Sequence, residues 1–511
     1  MSDPISFEEP GIRLVIDAED ERGQENRTTP FRLLVLGDFS GRASRGLCAP
    51  VTIRPRRVDR DNLDELLETM AVEIRLSLEN DEALAIPLTK LDDLHPDRLF
   101  HRLDIFASLR KLRRALRDPA AFAQAAPIAR SLFATAAPPP QEPHKPVGRP
   151  PSPGSGNLLD QIIAETTGEP LAAAPPATPT ADNDLAAFVG SIVAPHLQPK
   201  LSGQDELIAA LDRSVGDLMR AVLHHPQWQE IEAAWRAVDL LVRRLPTGEE
   251  LAVFLLDVSR EEVLRDLAAP DPRRSILYRL CVEQAGEQFG TMPWAALIGL
   301  FSFAPTTEDI TLLHSLGRLA AQAGTPFIAA AHDTFLGTAR LSGAPHPSTW
   351  QQLPEEIAAA WQALRRSPEA SWLGLVLPRL LLRLPYGEQT NPIDSFAFEE
   401  CDGAPEHDDY LWGNPALACG LLLGVSFAEH GWMMRSAMQQ ELDSLPLHIY
   451  THSGETRTTP CAEVLLTEKT ATRIMEMGFM PLLSFAGQDR VRLGRFQSVS
   501  SLSPRLAGRW S

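Results

Sequence analysis

Residues 136–157, AAPPPQEPHKPVGRPPSPGSGN, set eight prolines among polar residues and then run into glycine and serine. Proline fixes φ and carries no amide hydrogen, so this stretch can neither continue a helix nor pair as an interior strand. It reads as an exposed, semi-rigid spacer, and whatever folds must fold on either side of it. The division it imposes is a small region over 1–135, a linker over 136–156, a helical segment over 157–200 and a large region over 201–511. Within the third part, GEPLAAAPPATPTADND (168–184) separates two short amphipathic stretches. With 511 residues, 44% of them hydrophobic and 23% charged, the chain can bury large cores on both sides of the spacer.

The small region reads as an α/β module. In IRLVID, Ile12, Leu14 and Ile16 alternate with Arg13, Val15 and Asp17, which predicts an edge strand with one better-buried face. Phe31–Leu36 predicts a buried strand that runs into the turn GDFSGR, where Gly37 and Gly41 are expected to supply positive φ. VDRDNLDELLETM offers Asp59 or Asp61 as the cap of a short helix, and VEIRLSL alternates as a strand. DRLFHRLDIFASLRKLRRALRD is expected to close the region as one helix. Leu109, Leu112 and Leu116 lie on one side of it, and Arg110, Lys111, Arg113, Arg114 and Arg117 crowd the rest.

The large region reads as mixed α/β. Trp228, Ile231, Trp235, Val238, Leu241 and Leu245 recur at steps of three and four behind Pro226, predicting an amphipathic helix with an aromatic seam. ELAVFLLDVSREEVLRDL predicts a buried strand and then a helix whose capping box is Ser259 with Glu262. WAALIGLFSF, TTEDITLLHSLGRLAAQAG and TPFIAAA predict strand, helix ending at Gly324, and strand, a right-handed parallel crossover. The fold class expected is therefore α/β (mixed α+β), a small α/β module joined by a proline-rich linker to a larger α/β unit.

Patterns that carry chemistry are sparse. GDFSGR has neither the lysine and spacing of a P-loop nor the arrangement GxGxxG, and Ser40 does not stand in GxSxG, so a strand-ending corner is the reading of this turn. His224 and His225 are adjacent and point apart on any regular element, which suits a helix entry better than a metal. FEECDGAPEHDDY gathers Glu399, Glu400, Asp402, Glu406, His407, Asp408 and Asp409. It lacks EF-hand spacing, and a solvated acidic loop is preferred to a cation site. Catalytic, cofactor-binding and metal residues are accordingly expected to be none. A net charge of −19 makes nucleic acid and an anionic membrane surface poor candidates for the main partner. Five dispersed cysteines without a CxxC pair fit a reducing cytoplasm. The first twenty residues have no secretory pattern, and no run of about 18 apolar residues suggests a membrane span.

PFRLLVLGDFSGR through IRPRRVDRDNLDELLETM and RLSL resembles the small subunit of the type VI secretion contractile sheath (TssB or VipA). NLLDQIIAET, VLHHPQWQEIEAAWRAVDLLV, LLDVSREEVLRDL, TPFIAAA, LVLPRLLLRLPYG, FAFEE, YLWGNPALACG and MGFMPLL are similar, in order, to the large subunit (TssC or VipB). The resemblance implies a fused sheath protomer, not an enzyme and without cofactors, in the bacterial cytoplasm. Its implied partners are other sheath subunits, an inner tube protein, baseplate proteins and the AAA+ ATPase ClpV, which recycles contracted sheath. It implies an unfoldase-binding helix at Leu158, Leu159, Ile162 and Ile163, and an inter-protomer strand at Ile12, Leu14 and Ile16. A non-polymerising cap or a regulatory, ATPase-binding protein is the alternative. The sequence departs from the family pattern at ALIGLFSF, where Leu300 and Ser302 replace the acids of ALIGDYEF, and the large subunit is expected to continue past LSPRLAGRWS.

Overall fold

The run FRLLVLG has no polar alternation, as expected of a strand covered on both faces. In the computed structural model, which describes residues 29–47, 54–77, 83–135, 203–269, 271–284, 292–401 and 403–510, it is β1 (Phe31–Gly37), buried along nearly its whole length. Its two neighbours both come from beyond the proline-rich stretch. β5 (Leu251–Asp257) pairs with it in parallel from Phe31↔Leu251 to Gly37↔Asp257, and β6 (Ala296–Phe303) pairs in parallel from Leu33↔Ala296 to Leu36↔Gly299.

The sheet extends on both sides. β7 (Phe327–Ala331), β8 (Leu373–Leu377) and β14 (Met480–Ser484) continue it in parallel beyond β6. β2 (Arg56–Val58) closes one edge antiparallel to β5, and β15 (Val491–Leu493) and β11 (Glu441–Leu442) close the other. Among the described residues the order is β11-β15-β14-β8-β7-β6-β1-β5-β2. The parallel centre is a doubly wound arrangement whose strand order reverses at β1.

Helices cover both faces. One face carries α5 (Gln204–Leu223), α6 (Pro226–Arg244) and α10 (Ala416–His430), and the opposite face carries α7 (Arg260–Leu267), α8 (Thr307–Ala323) and α9 (Glu355–Arg366). The stretch Ala416–Ser436 has the length and apolar composition of a membrane span. Its first part is here a core helix, with Ala416 to Gly424 buried. The predicted strand–helix–strand unit is β6, α8 and β7. Thr306 caps α8 by accepting from the Asp309 amide, and Gly324 ends it at φ +61°. The aromatic seam is α6, with Trp228, Ile231, Trp235, Val238 and Leu241 buried.

Three local expectations are corrected. Gly41 has positive φ (+76°), but Gly37 does not. Gly37 ends an extended strand and needs no left-handed turn. The closing helix of the small region is broken at Leu103, which is extended (φ −79°, ψ 134°), into α2 (Pro96–Arg102) and α3 (Ala107–Arg117). Arg110 bridges the break by donating to the carbonyls of Phe100 and Leu103. A further helix, α4 (Phe122–Thr135), follows. Neither Asp59 nor Asp61 is the N-cap of α1 (Leu63–Thr69): that position is Asn62, and Asp59 instead accepts from the amides of Asp61 and Asn62, at 3.0 Å each, in the turn before the helix.

Candidate functional site

The turn after β1 is closed from within and clamped from outside. Asp38 accepts from the amides of Arg42 (2.6 Å) and Ala43 (2.7 Å). A side chain at Gly41 would put its Cβ 2.3 Å from the Glu73 carbonyl oxygen, so the corner requires glycine there. Asp257, the last residue of β5, accepts from the amides of Phe39 (2.9 Å) and Ser40 (3.1 Å) and from Ser40 Oγ (2.7 Å). Four main-chain amides of the turn are thus committed to carboxylates, and Ser40 donates to an acid. The geometry is that of a joint, not of a phosphate cradle or a nucleophile elbow.

Arg42 completes it. Its guanidinium makes a bidentate pair with Glu262 at 2.8 and 2.7 Å and lies 3.8 Å from Asp257. Glu262 is also the third residue of the predicted capping box: it accepts from the Ser259 amide (2.9 Å), and Ser259 Oγ accepts from the Glu262 amide (3.3 Å). One carboxylate therefore starts α7 and holds the corner of β1. Although burial works to raise it, Glu262 is held below the usual carboxylate range by Arg42 and the Ser259 amide. Asp38 and Asp257 are pushed upward by burial.

Elsewhere the small region meets the large one through further specific contacts. Arg113, one of the basic residues placed away from the leucine side of its helix, is buried and forks onto Asp212 of α5 at 2.6 and 2.9 Å. Asp97 accepts from the amides of Asp394 (3.1 Å) and Ser395 (2.9 Å), and the rings of Phe100 and Phe396 lie 4.9 Å apart. Arg32 sits over Phe254 and Trp294, with its guanidinium carbon 4.6 and 4.1 Å from the ring centres. Trp235 Nε1 donates to the Phe39 carbonyl at 2.8 Å, and Phe31 stacks on Phe427 at 4.7 Å.

A second charged cluster lies wholly within the large region. Arg383 donates to Glu232 (2.7 Å) and to both oxygens of Glu400 (2.7 and 2.9 Å), and Arg236 donates to Glu232 (2.7 Å) and to the Tyr386 hydroxyl (2.9 Å). Trp228 Nε1 and the Tyr386 amide supply further donors to Glu232 and Glu400 at 3.0 and 2.7 Å. Against the burial that would raise it, the Arg383 guanidinium brings Glu400 down to about 2. No sequence pattern announced this cluster. The only signal was a lone arginine inside the apolar run LLLRLPYG and paired acids after FAF.

The histidine and acidic-loop expectations resolve into structure. His225 is the N-cap of α6, its Nδ1 accepting from the Gln227 amide at 3.3 Å, while His224 ends α5 with Nε2 3.3 Å from Glu400. His407 bridges Glu463 (2.7 Å) and Asp408 (3.2 Å), Asp408 accepts from Arg340 (3.0 Å), and Asp409 accepts from the Glu406 amide (2.6 Å). Among the described residues no group of three or more His, Cys, Asp or Glu is arranged to hold a metal ion. A crevice of about 760 Å³ opens at the carboxyl ends of β1, β6 and β7, where Asp38, Glu230, Leu300, Ser302, His332 and Asp333 line it. The two positions that depart from the family pattern thus face one crevice. Leu158, Leu159, Ile162 and Ile163, and Ile12, Leu14 and Ile16, lie outside the described residues.

Comparison with known proteins places both regions. The family described as "EvpB/VC_A0108, tail sheath N-terminal domain" (VipB) matches residues 205–502, and the family "Type VI secretion system, VipA, VC_A0107 or Hcp2" matches residues 7–135. The type VI secretion system sheath protein TssC1 of Pseudomonas aeruginosa is 31% identical over 302 residues, 56% of this chain and 59% of that protein. The chain therefore spans less than two thirds of the length of this curated relative.

Proposed function

The chain belongs to the type VI secretion sheath family, with a VipA-type and a VipB-type region on one polypeptide, and from that premise we propose that it is a structural protomer of a contractile sheath. The observation that carries this reading is the place of β1, a strand of the VipA-type region seated between β5 and β6 of the VipB-type region. A sheath protomer has to pass force from one part to the other. A shared sheet centre does so through main-chain hydrogen bonds and a common core, where two beads on a spacer would not.

On this reading residues 1–135 act as the small-subunit part, 136–156 as the linker, 157–200 as the helical segment and 201–511 as the large-subunit part. Fusion fixes their ratio at one to one and keeps each part at high effective concentration near the other. Other sheath subunits are its lattice partners in the bacterial cytoplasm, around an inner tube and on a baseplate. Ile12, Leu14 and Ile16 pair with a neighbouring protomer by strand addition. Leu158, Leu159, Ile162 and Ile163 form the handle that the AAA+ ATPase ClpV grips. The chain works by shape and assembly, without catalysis.

The test is to combine labelled full chain with a full-length sheath pair and inner tube protein and to image the products by electron microscopy. Label distributed along tubules is the expected result. Label confined to tubule ends, or to soluble complexes with the ATPase, would overturn the protomer reading in favour of a cap or regulator.

A further inference from the structure

A cavity of about 600 Å³ opens between the segment that follows α10 and the last residues described, far along the chain from the joint. Three arginines line it, Arg435, Arg495 and Arg505, above a floor of Phe496, Leu506 and Trp510. No carboxylate is among its lining residues. Among the described residues Arg495 is hydrogen-bonded only to the neutral Gln497 side chain, at 3.2 and 2.5 Å, while Arg435 and Arg505 are exposed and their guanidinium groups have no hydrogen-bond or ion-pair partner there. By contrast, Arg42, Arg113, Arg236, Arg379 and Arg383 are each paired with an acid, in a chain of net charge −19. Three cations brought to one concavity focus a positive potential that a carboxylate-rich ligand neutralises. Arginine in particular holds carboxylates through two parallel hydrogen bonds.

The chain carries such a ligand within reach. Residues 17–21 read Asp-Ala-Glu-Asp-Glu, four carboxylates in five positions. The nearest described residue to them, Thr29, accepts at its carbonyl a 2.7 Å hydrogen bond from Trp432 Nε1, and Trp432 belongs to the short Gly431–Ser436 helix that also bears Arg435. Seven residues lie between Glu21 and Thr29, so the eight Cα–Cα steps span up to about 28 Å when extended. We propose that the groove of Arg435, Arg495 and Arg505 is a docking site for the acidic stretch Asp17–Glu21 of the same chain. The inference does not depend on the sheath reading. The tether gives the stretch an effective concentration on the order of millimolar. A site of only ~0.1 mM affinity is then occupied about nine-tenths of the time. Docking there also fixes where Ile12, Leu14 and Ile16 leave the body of the protein.

Limited trypsin digestion of the full chain tests this, following cleavage after Arg22 and Arg27 by mass spectrometry. Cleavage is expected to be about tenfold faster in R435E/R505E, and equally so when Asp17, Glu19, Asp20 and Glu21 are changed to Asn or Gln. Combining the two sets is expected to add nothing, because both remove one contact. Circular dichroism checks that the variants are folded, and R435Q/R505Q, with a smaller acceleration of about threefold, serves if the charge reversal does not fold. An unchanged cleavage rate in the arginine variants, or effects of the two sets that multiply, overturns the proposal. Protection that vanishes on dilution also overturns it and makes a second copy the occupant.

Discussion

The two buried charge clusters of this molecule are built from the same residue types and differ in balance. Around Arg383, two arginines face two glutamates, and Glu232, Glu400 and Arg383 are all nearly inaccessible to solvent. Around Arg42, one arginine faces Glu262, Asp257 and, at greater distance, Asp38. The balanced cluster ties α6 to the segments on either side of Tyr386 inside the large region. The unbalanced one joins the two regions, and its surplus acid is what burial pushes upward at Asp38 and Asp257. A charge cluster inside one rigid unit can be dry and neutral, whereas a joint between two units keeps partial solvent contact and a net charge.

The largest effect that would test this contrast is at Arg383. Its replacement by Met leaves Glu232 with Arg236 alone and Glu400 without its main partner, both in a dry site. Removing one member of such a cluster costs about 3–5 kcal/mol, read as a shift of the urea midpoint at constant slope. Adding Glu232→Leu and Glu400→Leu should restore part of the loss. A cost for Arg383→Met below about 1 kcal/mol would mean that the cluster is wet and the contrast false.

Acid titration separates the clusters by sign. Glu400 falls from its ordinary value to about 2 in the folded state. Its contribution is therefore complete above about pH 4.5, is lost as pH falls towards 2, and amounts to about 3 kcal/mol. Glu400→Gln should flatten stability against pH across that window. Asp38 and Asp257 are shifted upward. Their ionisation disfavours the folded state, so lowering the pH from neutral through their folded values should strengthen the joint. Asp257→Asn should remove part of that gain. Loss of stability at the joint over the same pH range would contradict the surplus-acid account.

At the joint itself, Arg42→Ala removes the one cation that faces three acids. Glu262 keeps its bonds to the Ser259 amide, and Asp257 keeps those to Ser40 and Phe39. The cost is accordingly about 2 kcal/mol, smaller than at Arg383 because the Asp257 side chain is 20% exposed whereas Glu232 and Glu400 are closed off from solvent. A double-mutant cycle with Glu262→Gln should show coupling of about 1 kcal/mol or more, and additivity would break the claim that the pair carries the joint.

Much of this architecture is legible in the sequence, and what is not legible is non-local. Pro226 with the seam from Trp228 to Leu241, Ser259 with Glu262, and the β6–α8–β7 unit were readable because each rests on contacts a few residues apart. The turn at Gly41 was readable as a corner from the types present, while Gly37 was misread because a glycine at a strand end looks the same whether or not it turns left-handed. That β1 lies between β5 and β6 could not be read, since its partners begin over 200 residues away and parallel strands carry no turn to mark their pairing. Arg113 and Arg383 were unreadable for a related reason. A basic residue on an amphipathic helix or in an apolar run is expected in solvent unless its acid, at Asp212 or at Glu232 and Glu400, is known to be near.

The smallest effect sharpens the contrast from outside the core. The acidic loop carries a third group of mixed charges, in which Asp408 meets Arg340 and His407 with its side chain 70% exposed. Solvent screens such a pair, so Asp408→Asn should change stability by less than about 0.5 kcal/mol. His407 is raised first by its hydrogen bond to Glu463 and, after burial has opposed this, by Asp408. In the Asn variant its titration, followed by NMR, should move down but stay above the usual histidine value, because the Glu463 contact at 2.7 Å remains. A raised histidine of this kind stabilises the fold below its unfolded pKa and loses that contribution as pH rises through the folded one. The variant should therefore bring that loss to slightly lower pH, and calcium should leave the melting temperature of both proteins unchanged. A calcium-dependent rise that Asp408→Asn abolishes would make the loop a cation site after all, held by acids that the ion takes from Arg340 and His407.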